Sequence, residues 1–226
     1  LHDALPICQN LRNLNEAGTL YGNIIYNKAP VMMRQLEALV GEDVLRDGLR
    51  EYLRRYADGN ATWPDLIAIL DERTSEDLRQ WSEVWVNTAG RPSFQVQSSP
   101  DSGGDELTIR QQDPAGSNRV WPQRFSLIAR DGKASTTRTV LNRTQETRVP
   151  SVPSGDVVLN SDGYGYGLFP VTLESLQPWE QLGDTERGAL LTSLYENLLE
   201  GNDVQPANYA EALLGIVIAE DNQLLL

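Results

Sequence analysis

Two tyrosines, Tyr21 and Tyr26, stand just ahead of an amphipathic stretch and are the first side chains in this sequence that could do chemistry. A phenol held in a cleft can donate a hydrogen bond, and a donor aimed at a developing oxyanion lowers a barrier by about 3 kcal/mol. Read from the residues alone, both tyrosines are packing residues. Other candidates are few. The pairs Glu42/Asp43 and Glu76/Asp77 fall where helices should begin, and there carboxylates favour the helix dipole. The single histidine, His2, leaves no two-histidine zinc site and the single cysteine, Cys8, no internal disulfide; with both read as adapter-derived, no Ser-His or Cys-His couple is available either.

Composition narrows the class. The 226 residues suffice for one large or two small domains, and 40% hydrophobic with 23% charged residues is globular. Asp and Glu number 32 against 19 Lys and Arg, a formal charge of −13, which disfavours nucleic acid as a partner. No apolar run reaches the roughly 18–20 residues of a membrane span. Residues 1–8 match one reading frame of a common sequencing-adapter oligonucleotide and are read as adapter-derived, with the gene joining near Cys8.

The elements that would position the tyrosines come next. The spacing of Met32, Met33, Leu36, Leu39 and Val40 predicts a helix with Pro30 in its first turn and Gly41 as its stop. A second helix is expected over 43–56. A third should start at Thr62-Trp63-Pro64-Asp65, with Thr62 capping and Asp65 returning a bond. A fourth is expected to be capped by Ser75, with Leu78, Trp81 and Trp85 on one stripe. Trp63, Trp81 and Trp85 are read as core. Over 93–172 the pattern changes to alternation: Phe94 and Val96, Leu107 and Ile109, then 125–129, 136–141 and 157–159, separated by turn signals, predict a small β-sandwich. The Gly- and Tyr-rich stretch 160–167 reads as turn chemistry. Beyond it, Asp184 or Thr185 should cap a helix, and Pro206 should open another carrying Tyr209, Leu213, Leu214 and Val217. The three leucines after Asn222 look like the first turn of a further buried helix. Asn60-Ala61-Thr62 and Asn142-Arg143-Thr144 fit the glycosylation tripeptide, a pattern that chance often produces.

The segment Ile25-Tyr26-Asn27-Lys28-Ala29, continued by Val31-Met32-Met33-Arg34-Gln35-Leu36-Glu37 and Gly41, resembles the gluzincin zinc aminopeptidases typified by membrane alanyl aminopeptidase. That family writes Tyr-x-Lys-Gly/Ala before a helix. It continues with a Gly-acidic turn, a helix ending in Tyr-Leu, an Asn/Ala-Thr-x-x-Asp-Leu segment and a Trp-x-x-x-x-Gly-x-Pro finish. This sequence has Gly41-Glu42, Tyr52-Leu53, Asn60 to Leu66, and Trp85 to Pro92 in the same order over about 80 residues.

The resemblance implies an α+β multidomain fold: residues 9–92 as the helical C-terminal part of a thermolysin-like catalytic domain, 93–172 as a β-sandwich, and 173–226 as the start of a truncated helical domain. It implies a parent enzyme that removes N-terminal residues from peptides, with zinc as cofactor and peptides as substrates. Tyr26 would be the catalytic tyrosine that stabilises the tetrahedral intermediate. Lys28 would match the family's lysine in a positional role, and Tyr21 would be a substrate-cleft tyrosine. The family's His-Glu-x-x-His motif is not in this sequence, so no zinc ligand and no general base can be assigned, and the fragment alone is expected to be inactive and to bind no zinc. The alternatives are a catalytically inactive peptidase-like scaffold serving as a protein-interaction module, and a helical binding module unrelated to peptidases.

Overall fold

The computed structural model describes residues 6–9, 13, 24–98, 106–132, 134–153, 155–177, 179–202 and 204–225. It has helices and small antiparallel sheets, an α+β chain. It divides into two compact units: residues 1–91 with 113–123, and residues 92–112 with 124–226.

The first unit is helical. Its helices are α1 (Ala29–Val40), α2 (Glu42–Arg55), α3 (Trp63–Asp71) and α4 (Leu78–Ser82), with π-helical turns at Ile24–Lys28 and Glu83–Asn87. Gly41 ends α1 at φ +91°, a conformation that costs a Cβ-bearing residue, and its N–H bonds Glu37 O at 2.8 Å. At the start of α3 the Asp65 carboxylate accepts from the Thr62 N–H at 2.9 Å and the Thr62 hydroxyl at 2.6 Å, the bond back to the cap residue expected there. These bonds lower the Asp65 pKa. The cap of α4 differs from expectation: Asp77, not Ser75, accepts the Gln80 N–H at 2.9 Å. Asp77 is the residue directly before the first helical turn, and its carboxylate reaches the third N–H within it. Trp81 and Trp85 are buried, as expected, while Trp63 is half-buried and donates to Ser82 Oγ at 2.7 Å.

The segment 113–123 completes this unit. Asp113, its side chain 1% exposed, forms a forked pair with Arg119: Nε to Oδ2 at 2.8 Å and Nη2 to Oδ1 at 2.9 Å. Both carboxylate oxygens also accept backbone N–H groups, from Ala115 at 2.9 Å and Arg119 at 3.2 Å. The remaining guanidinium arm donates to Ala89 O at 2.6 Å, and the plane lies 4.7 Å from the Trp121 ring. The bonds from Arg119 hold the Asp113 pKa down at about 2. Trp85 packs edge-on to Trp121 and donates to Pro122 O at 3.0 Å. Gly90, at φ +122°, is fixed by the same cluster, since a Cβ there would lie 3.0 Å from Arg119 Nη2.

The second unit carries two three-stranded antiparallel sheets. One is ordered β1 (Ser93–Ser98), β2 (Glu106–Gln112), β5 (Glu146–Pro150), the other β4 (Ala134–Asn142), β3 (Gln123–Asp131), β6 (Asp156–Leu159). Both contribute to one core around Phe94, Ile109, Phe125, Leu127 and Phe169, with the Phe94 and Phe169 rings stacked at 4.5 Å. Strand β6 uses its alternation twice: Leu159 enters this core, while Val158 faces a second core with Leu176, Trp179, Leu190 and Leu194. That second core belongs to α5 (Asp184–Leu199) and α6 (Pro206–Ala219). Gly183 stands at the cap of α5, ahead of both residues expected there; Asp184 instead pairs forward to Arg187 at 2.6 Å. In α6 Ile216 is the buried residue, whereas Leu214 and Val217 are exposed, and Leu224 beyond it is also exposed. Asn142 is fully buried and its amide donates to Thr147 Oγ1 at 2.8 Å, so the tripeptide beginning there cannot be glycosylated in the folded chain.

Candidate functional site

The candidate segment runs from the π-helical turn Ile24–Lys28 into α1. The backbone of Lys28 is already right-handed helical, φ −71° and ψ −48°, so the turn and α1 form one continuous helix. Pro30 sits in the first turn of α1, where a missing N–H costs nothing. A π-turn is rare and frequently marks a functional site, because it moves the side chains before it out of the phase of the helix that follows.

Tyr26 lies in the middle of this turn and is 66% exposed. Lys28, two residues on, is 1% exposed. Tyr21 lies outside the described residues. The buried stripe of α1 is Met32, Gln35 and Leu36, and Lys28 extends it by one turn toward the N-terminus. Beside that turn a small cavity of about 200 Å³ is lined by Ala29, Met32, Met33, Trp63 and Val86. Ile7 and Cys8 complete its lining, which is apolar apart from the Cys8 thiol. A larger recess of about 400 Å³ lies in the second unit, lined by Arg130, Asp156, Glu174 and Glu186, among others. There Arg130 bonds Asp156 at 3.2 Å and also bonds Glu186, so its charge is already paired.

Among the described residues no group of three or more His, Cys, Asp or Glu side chains could hold a metal ion. The zinc implied by the resemblance therefore finds no fitting ligand set among them. Among the described residues, too, no helix is long and apolar enough to cross a membrane. The described part of the segment sets an exposed tyrosine, Tyr26, two positions from a buried lysine, Lys28. The burial of Lys28 is the feature that the sequence reading missed. Counting back four positions from Met32 along the apolar stripe would have found it.

Residues 1–85 match the Peptidase family M1 domain. Aminopeptidase N of Streptomyces lividans is 31% identical over 134 residues, which cover 56% of this chain and 16% of that protein. Tricorn protease-interacting factor F2 of Thermoplasma volcanium is 23% identical over 98% of this chain and 28% of its own length. Puromycin-sensitive aminopeptidase of Caenorhabditis elegans is 27% identical over 74% of this chain and 18% of its own length. The fold is similar to that of Legionella pneumophila aminopeptidase A, solved in complex with aspartic acid. The TM-score is 0.60 at 13% identity, over 90% of this chain and 25% of that one. The chain thus spans well under a third of the length of these relatives.

Proposed function

From the match of residues 1–85 to the Peptidase family M1 domain, we infer that this chain is part of a zinc-dependent metallo-aminopeptidase that removes N-terminal residues from peptides. The exposed placement of Tyr26 on the π-turn inside the matched segment carries this reading. The phenolic O–H of Tyr26 donates a hydrogen bond to the oxygen that gains negative charge as the first peptide bond of the substrate becomes tetrahedral. A donor fixed in place before the charge forms needs no reorganisation during the step, which is why such groups have large effects on turnover. The zinc ligands and the general base are assigned to parts of the parent outside this chain, and the chain by itself is inactive.

The same reading takes residues 9–92 as the helical C-terminal part of a thermolysin-like catalytic domain, 93–172 as a β-sandwich and 173–226 as the start of a helical domain. The similarity to an aminopeptidase fold supports it. Tyr21 is a second, cleft-facing tyrosine in this scheme.

The test is Tyr26→Phe in the full-length parent, assayed on a peptide with a free N-terminus. Loss of a transition-state donor lowers kcat by about 10²–10³-fold and leaves KM within a few-fold. Turnover within twofold of the unaltered enzyme overturns the role of Tyr26. A parent with no aminopeptidase activity to lose points to the inactive interaction scaffold instead.

A further inference from the structure

Lys28 is among the largest fully buried side chains of the molecule, at 1% exposure. It occupies the first place of the stripe continued by Met32, Gln35 and Leu36, where an apolar side chain would satisfy packing without an ammonium group to accommodate. A buried ammonium persists only when its donors are met, and Lys28 is engaged with the surrounding structure. It also closes the π-turn Ile24–Lys28 and is the residue from which α1 begins. A π-turn holds more backbone per turn than an α-helix and is seldom stable by itself. Relaxing it to α-geometry would rotate the residues ahead of Lys28 by a large fraction of a right angle or more relative to α1, and Tyr26 is among them. Two positions along a helix lie on nearly opposite faces, which matches a buried Lys28 beside a Tyr26 that is 66% exposed.

We propose that Lys28 is a positioning residue. Its buried ammonium pins the inner side of the π-turn and so holds the Tyr26 phenol in one outward orientation. This rests on the oxyanion role of Tyr26 inferred above, and the experiments separate the two.

Lys28→Met keeps an unbranched stem and removes the charge. Its first readout needs no activity: amide hydrogen exchange in the 226-residue chain. Exchange across 24–28 speeds up by about tenfold or more while α3 keeps its protection. The second readout uses the full-length parent. There kcat falls by about tenfold with KM within threefold, and the same change adds little in a Tyr26→Phe background because both act on one interaction. Unchanged exchange at 24–28 overturns the pinning whatever Tyr26 does. Faster exchange with undiminished kcat, in an enzyme that Tyr26→Phe cripples, overturns the positioning role. Protected amides that loosen in Lys28→Met, in an enzyme indifferent to Tyr26→Phe, show that the oxyanion reading failed, and the positioning role falls with it. If Lys28→Met does not fold, Lys28→Arg takes its place: the proposal requires faster exchange at 24–28 and a kcat lowered by about threefold or more, and wild-type values of both overturn it.

Discussion

Two polar clusters of the helical unit handle a buried charge in opposite ways. At Asp113 and Arg119 both carboxylate oxygens accept hydrogen bonds, the guanidinium bonds a carbonyl besides, and the pair is covered by the Trp121 ring. The donors and acceptors close on one another. At the start of α1 the charged group is equally buried, but the residue two places away opens outward as an exposed phenol. A cluster that closes on itself serves stability, because nothing remains to offer a ligand. A cluster with a buried anchor and an exposed tip can serve chemistry, because the interior fixes the position of a group that the solvent side can reach. The first should respond to mutation in unfolding experiments and the second in turnover.

The largest expected effect on stability is that of Arg119→Ala, which strands the Asp113 carboxylate at 1% exposure. Breaking one partner of a buried pair costs about 3–5 kcal/mol. Urea unfolding followed by tryptophan fluorescence would read it, since Trp63, Trp81, Trp85 and Trp121 all lie in this unit. A loss below about 1 kcal/mol would break the contrast.

The next effect is in acid. The Asp113 pKa is lowered from 3.8 to about 2, first by the hydrogen bonds from Arg119. A folded value below the unfolded one means that the contribution is complete above pH 3.8 and is lost as pH falls from there through about 2. Its size is about 2.5 kcal/mol at 1.4 kcal/mol per unit. Asp113→Asn should therefore flatten the acid limb of a stability-against-pH curve over that window.

Gly90→Ala should cost about 1–2 kcal/mol, because it places a Cβ on a glycine-only backbone and against the Arg119 fork. A thermal melt of the chain checks it. The smallest effect is the most discriminating. Tyr26→Phe in the 226-residue chain should leave the unfolding midpoint unchanged within about 0.5 kcal/mol, as expected for a residue that is 66% exposed. A larger loss would mean that the phenol belongs to a closed network like that of Asp113.

Local rules made much of this architecture legible. Gly41 stops α1, and Thr62 with Asp65 opens α3, because each depends only on residues within a turn of itself. Phe94, Leu107 and Ile109 announced β1 and β2 by alternation. Strand β5 escaped notice because Glu146 to Pro150 holds one buried apolar residue, Val149, and its pairing is dictated by β2 beside it. The Asp113–Arg119 fork was hidden for a similar reason: the turn at 113–116 is local, but the carbonyl that takes the remaining guanidinium arm is that of Ala89, and the indole that packs on Trp121 is that of Trp85. At the site, Tyr26 could be singled out by residue type and position. The burial of Lys28 was legible only by extending the apolar stripe of α1 back one turn, against the ordinary surface preference of lysine. Both π-turns were unreadable, because the insertion of one residue into a helix leaves no compositional mark.

The ownership of residues 113–123 bears on how this polypeptide can be taken apart. The chain passes between its two units three times, after Arg91, Gln112 and Gln123. No single protease cut can release either one whole. A piece ending at Arg91 would lack the Trp121 ring and the Pro122 carbonyl that Trp85 requires, and would present bare indole to water. Anyone dissecting the protein for expression should therefore treat the helical unit as a mosaic of two distant stretches of gene, to be excised together or joined by a designed linker.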